Sequence, residues 1–200
     1  MKEAQFFETL AGQWQDELVV TSLGSAGHGW FKATQSKDSF YLLDGMGFAS
    51  SFALGMALGL PQGRFWLLDT DGAFAMNLGG VLTQASVQAP NLLHLMLNNH
   101  SYRVIGELPL VNADTTDYAG VARAAGIRRV VDVQTQDDLL AVLEQQRQDP
   151  AYTLAVVDIE PQDEWRTGPP KGIEGPEMKY RFGRYVEQRF GVQVFGPEGV

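Results

Sequence analysis

The sequence holds no cysteine. That absence excludes a disulfide framework, a thiolate metal site and a thiol nucleophile, and it agrees with the cytoplasmic setting expected for this chain. Long apolar runs are missing as well. No stretch approaches the roughly 18 residues that cross a bilayer, and Met1-Lys2-Glu3-Ala4 lacks the charged-then-apolar form of a secretory signal. No membrane association is expected. Positive charge is scarce: 15 Lys and Arg stand against 24 Asp and Glu, a formal net charge of -9. A surface this acidic repels phosphate backbones, so nucleic acid is not an expected partner. The densest basic stretch, Lys179 to Arg189, is mixed with aromatics and flanked by acids, and reads as a packed or partner-facing helix. A polyanionic ligand must therefore be held by a metal ion or by backbone amides. The nicotinamide-binding fingerprint Gly-x-Gly-x-x-Gly is also absent, since the loop after the first strand reads GSAGHG.

What is present is a regular alternation. Apolar, strand-like runs fall at Leu18–Thr21, Ser39–Leu42, Arg64–Asp69, Leu92–Leu97, Val130–Val133 and Thr153–Ile159. Helix-like stretches lie between them at Glu3–Trp14, Gly47–Leu58, Leu78–Gln88, Asp117–Ala125 and Gln136–Gln148. Strands alternating with helices predict an α/β fold: a single doubly wound domain whose mainly parallel sheet is covered by helices on both faces. The runs RFWLLD, LLHLML and TLAVVDI are nearly continuous in apolar residues, as doubly covered parallel strands are. This domain is expected to occupy residues 1–160. Residues 161–200 form a Pro/Gly-rich extension ending in a helix near Met178–Phe190.

In such sheets ligands bind at the carboxyl ends of the strands, near a switch in strand order. Asp71-Gly72 follows one apolar strand, and Asn98-Asn99 follows the next. A carboxylate, a carboxamide oxygen and a loop carbonyl are hard oxygen ligands of the kind magnesium takes, with phosphate oxygens and water completing its shell. Gly72 and Ala73 offer amides at the start of a helix, where an anion is favoured. Asp71 reads equally as a helix N-cap, and the two asparagines as a polar loop. His94, inside LLHLML, reads as a core or sheet-edge histidine, whereas His28 and His100 are candidates for moving a proton near substrate. Arg103 is either a solvated loop residue or a contact for an anionic substrate.

Several stretches in the same order resemble one family. The Asp-Gly…Asn-Asn pattern looks like the thiamine-diphosphate fingerprint. ELVVTSLGSAGHGWF, FYLLDGMGFASSFALGMALGLP, FWLLDTDGAFAMNLGGVLTQASVQAPNLLHLMLNN and DTTDYAGVARAAGI resemble the diphosphate-binding domain of sulfopyruvate and phosphonopyruvate decarboxylases. The resemblance implies thiamine diphosphate and Mg2+ as cofactors. Asp71, the Asn99 side chain and the Ser101 carbonyl would be the metal ligands. Gly24, Ser25, Asp44, Met46, Gly72 and Ala73 would contact the cofactor, with Met46 as the apolar prop beneath it. It further implies a lyase subunit that decarboxylates a small 2-oxo acid, assembles as a homo- or hetero-oligomer, and needs a complementary pyrimidine-binding subunit to supply an activating glutamate. Thr70 replaces the first glycine of the fingerprint and is tolerable only in an extended backbone. That departure and the missing glutamate leave an alternative, a non-catalytic binding or assembly module of the same fold.

Overall fold

The computed structural model describes residues 1–162 and 175–196. The first helix, α1 (Glu3–Gln13), leads into β1 (Leu18–Thr21), α2 (Ser25–Thr34), β2 (Phe40–Tyr41) and α3 (Ala49–Gly59). Next come β3 (Phe65–Thr70), two consecutive helices α4 (Asp71–Met76) and α5 (Leu78–Val87), and β4 (Leu92–Asn98). A hairpin of β5 (Ser101–Tyr102) and β6 (Leu108–Pro109) encloses a single 3-10 turn at Arg103–Ile105. The chain continues through α6 (Tyr118–Ala124), β7 (Arg129–Val133), α7 (Gln136–Gln148), β8 (Thr153–Asp158) and α8 (Gly175–Phe190).

Six strands form one sheet in the order β2-β1-β3-β4-β8-β7, and each neighbouring pair runs parallel. Strand order reverses beside β1, because β2 lies on one side of it and β3 on the other. The crevice between the carboxyl ends of β1 and β3 is therefore the switch point. All six residues of β3 are buried, as are the first six of β4. Their apolar runs have no polar alternation because both faces are covered. One face packs Leu67, Leu92 and Met96 with Ala53 of α3, Val81 of α5 and Phe182 of α8. The other packs Trp66, Leu93 and Leu95 with Phe7 of α1, Trp30 of α2 and Leu143 of α7.

Two helices differ from the expectation. The glycine-rich GSAGHG segment is not a loop: from Ser25 onward it is the first turn of α2. Trp30 on that helix is fully buried and donates to Ser39 Oγ at 2.8 Å. The Asp71 segment is itself a helix, and its N-cap is Thr70 rather than Asp71, since Thr70 Oγ1 accepts from the Ala73 amide at 3.4 Å. The basic helix near the C-terminus packs on its own chain, burying Met178, Phe182 and Val186, with Phe182 edge-on to Phe40. The segment expected to run extended before that helix lies largely outside the described residues. Among the described residues no helix is long and apolar enough to cross a membrane.

Candidate cofactor site

Asp71 stands at the carboxyl end of β3 and is fully buried. Its Oδ2 accepts the Asn99 amide at 2.9 Å and the His100 amide at 2.5 Å, and its Oδ1 accepts its neighbour's amide, Gly72, at 2.7 Å. Adjacent strands thus bring the carboxylate against the Asn98-Asn99 tip. The Asn99 Oδ1 in turn accepts the Ser101 amide at 3.1 Å, while its Nδ2 lies 3.4 Å from Ser25 Oγ across the switch point. Three loop tips meet here, after β1, β3 and β4. Left-handed backbone at His100, with φ of 61°, turns the chain back so that its amide reaches Asp71.

Burial pushes the Asp71 carboxyl up to about 6, against the pull of three backbone N–H donors. Among the described residues no side-chain cation pairs with it. The group is a buried, desolvated carboxylate, the kind of group a divalent ion neutralises. Among the described residues no cluster of three His, Cys, Asp or Glu could hold a metal alone. A single carboxylate with a carboxamide and a loop carbonyl suits magnesium, which draws its remaining ligands from phosphate and water. Thr21 Oγ1 and Ser22 Oγ, at the end of β1, are buried without hydrogen-bond partners. The residues present fit a magnesium-bound phosphate ester.

A cavity of about 320 Å³ opens beside this cluster, lined by Ser25, Met46, Gly72, Asn99, Ser101 and the hairpin side chains from Tyr102 to Ile105, among others. Thr70 has the extended backbone that its β-branched side chain requires, with φ of -127° and ψ of 155°. Gly72 is needed for close approach: a Cβ there would lie 2.7 Å from the Tyr102 ring and 3.0 Å from Met46 Cε. Gly24 has a φ of 95°, and a Cβ on it would meet Val104 at 2.6 Å.

Of the residues the sequence singles out, Asp71, Asn99, Ser101, Ser25, Met46 and Gly72 come together. Ala73 is buried beneath, its amide committed to the Thr70 cap. Asp44 is exposed on the loop before Met46 and is not among the residues lining the cavity. Neither His28 nor His100 lines it. His28 sits half-buried on α2, where burial lowers its pKa. The exposed His100 ring turns to Asp158, 3.1 Å from Nε2, and to the Ala113 carbonyl, 3.2 Å from Nδ1. Arg103 is no solvated loop residue: it is buried and pairs with the buried Glu3 at 2.6 Å. Sequence reasoning missed this pair, because nothing in the spacing links residues so far apart.

A doubly wound sheet with a hard-oxygen cradle at its switch point defines a phosphate-cofactor domain. The family model described as thiamine pyrophosphate enzyme, C-terminal TPP binding domain, matches residues 21–159. The chain belongs to that family. It is 36% identical over 126 residues to sulfopyruvate decarboxylase subunit beta of Methanothermobacter thermautotrophicus, covering 63% of this chain and 67% of that one. It is 28% identical over 178 residues to phosphonopyruvate decarboxylase of Streptomyces hygroscopicus, covering 89% of this chain but only 44% of the relative. A solved chain from Mycobacterium smegmatis, described as a thiamin diphosphate-dependent enzyme, superposes with a TM-score of 0.65 at 23% identity. That match covers 81% of this chain and 32% of the other, and it shows the fold.

Proposed function

We propose that this chain is the diphosphate-binding subunit of a heteromeric thiamine-diphosphate-dependent decarboxylase acting on a small, doubly anionic 2-oxo acid. The reading rests chiefly on one observation: the Asp71 carboxylate accepts the Asn99 backbone amide, beside a cavity that Asn99 and Met46 line. In this role Asp71, the Asn99 side chain and the Ser101 carbonyl would hold magnesium. Ser25 and Gly24 would border the far side, and Met46 would serve as the apolar prop for the cofactor. When bound, thiamine diphosphate supplies the electron sink that takes up the pair released as carbon dioxide leaves a 2-oxo acid. The chain's own part is to bind, orient and keep water from the reacting carbon.

No Asp, Glu or His lines the cavity among the described residues. An acid or base at the reacting end must then come from elsewhere, which supports a partner chain carrying the activating glutamate. Three sulfopyruvate decarboxylase relatives are named as beta subunits, in keeping with such a partner. A non-catalytic module of the same fold is the competing reading, favoured by the amides of Gly72 and Ala73 being engaged internally.

Decarboxylation of sulfopyruvate and phosphonopyruvate, assayed with the chain alone and with a complementary pyrimidine-binding subunit, tests the proposal. Turnover only in the mixture is expected. No turnover in the mixture despite cofactor binding would leave the non-catalytic module.

A further inference from the structure

Behind the cradle lies a polar cluster that the function above leaves unused. His94 is fully buried in the middle of β4, among leucines. Burying an imidazole costs free energy unless its nitrogens find partners. Its Nδ1 lies 3.2 Å from the Tyr152 hydroxyl and 3.3 Å from the Gln84 carboxamide oxygen. Tyr152 also donates to that oxygen, so Nδ1 is held by Gln84 of α5 and by the residue just before β8. Nε2 faces Asp69 Oδ2 at 3.3 Å without an aligned hydrogen bond. Asp69 Oδ1 in turn accepts the Thr70 amide at 2.9 Å. The ring also sits against Phe74, with centroids 6.1 Å apart.

These contacts have a direction. Asp69 is the penultimate residue of β3 and Phe74 lies in α4. Between them run Thr70, Asp71, Gly72 and Ala73, the turn that carries the carboxylate of the cradle. The imidazole therefore touches the chain just before that turn and just after it. His94 also shares β4 with the segment leading to Asn99, so one strand carries both the contact beneath the turn and the second cradle residue. A leucine at 94 would fill the volume and keep the contact with Phe74, but would leave Asp69 Oδ2 facing an apolar side chain and Tyr152 held by Gln84 alone.

We propose that His94, held by Tyr152 and Gln84, is a positioning residue that braces the Asp69–Phe74 turn and sets where Asp71 stands against Asn99. The proposal rests on the cradle holding magnesium and diphosphate. Residues in this supporting role change metal affinity by about 10- to 100-fold when removed.

The test compares His94→Leu, His94→Gln and Tyr152→Phe with Leu93→Ala, a core truncation on the opposite face of the same strand. Three quantities are read on the full chain: the thermal midpoint, the magnesium-dependent Kd for thiamine diphosphate, and hydrogen exchange of the Thr70, Asn99 and His100 amides without cofactor. His94→Leu is expected to raise the Kd about tenfold or more and to speed exchange at those three amides beyond the rest of the sheet. His94→Gln, which keeps a polar group facing Asp69, recovers part of both. Tyr152→Phe shows the same pattern more weakly and serves if His94→Leu fails to fold. Leu93→Ala lowers the midpoint as much while leaving Kd and local exchange unchanged. If the His94 and Tyr152 variants match Leu93→Ala in both readouts at equal loss of midpoint, His94 is ordinary core and the proposal is overturned. If the wild type binds no thiamine diphosphate, the functional reading fails, while the exchange comparison still decides whether His94 braces the turn.

Discussion

Asp71 bears two opposing demands. Desolvation raises its pKa to about 6, from an ordinary 3.8, while the backbone donors of Gly72, Asn99 and His100 favour the charged form. Because the folded value lies above the unfolded one, the folded chain binds the extra proton between about pH 4 and 6. On this group's account the cofactor-free protein loses stability as pH rises through that window, by an amount on the order of 3 kcal/mol. Thermal melts of wild type and Asp71→Asn from pH 4 to 7 check the sign: the wild-type decline should be absent in the variant. Magnesium requires the carboxylate, so its affinity should fall as pH drops below about 6. At Met46, whose terminal methyl group lies against Gly72, truncation to alanine should reduce turnover of the assembled enzyme more than cofactor affinity. A kcat loss with a near-constant Kd would bear that out. A Kd loss alone would place Met46 with the ordinary packing residues.

At the scale of elements, the strands were readable because burial on both faces leaves a continuous apolar run. The run expected at Leu18–Thr21 coincides with β1, and the helix expected at Gln136–Gln148 coincides with α7. That helix is set locally: Thr135 accepts from the Asp138 amide, and the Asp138 carboxylate reaches back to the Thr135 amide. Thr135→Ala should lower stability by about 1 kcal/mol and leave cofactor binding untouched, as denaturant unfolding and calorimetry would show. Helix α2 was unreadable for the opposite reason. Two glycines in ten residues oppose a helix locally, yet a Cβ on Gly29 would run into the Phe7 ring of α1. The glycine serves a tertiary contact that no local pattern displays. Gly29→Ala is expected to cost about 1–3 kcal/mol through overpacking. The approach of Asp71 to Asn99 was legible because each directly follows an apolar strand, and the two strands are neighbours. The turn's support at His94 was not, because an imidazole within LLHLML shows no partner until β3, α5 and the residue before β8 are folded around it.

At the scale of the whole molecule, the proposed function makes the cavity half of a site shared with a second chain. Met76, Val104 and Ile105 line it while remaining 58%, 59% and 65% exposed. An apolar rim of this kind is the expected edge of a contact with a second chain. Ile105→Glu should weaken association with the glutamate-bearing chain and abolish turnover of the mixture, while the thermal midpoint of the single chain holds. Sedimentation of the mixture reads the first effect. The central claim concerns the cradle itself, and calorimetric titration of thiamine diphosphate into the chain, with magnesium and again with EDTA, tests it most directly. One saturable site that requires magnesium and disappears in Asp71→Asn is the result predicted. Binding that is indifferent to magnesium, or undiminished in Asp71→Asn, would contradict it.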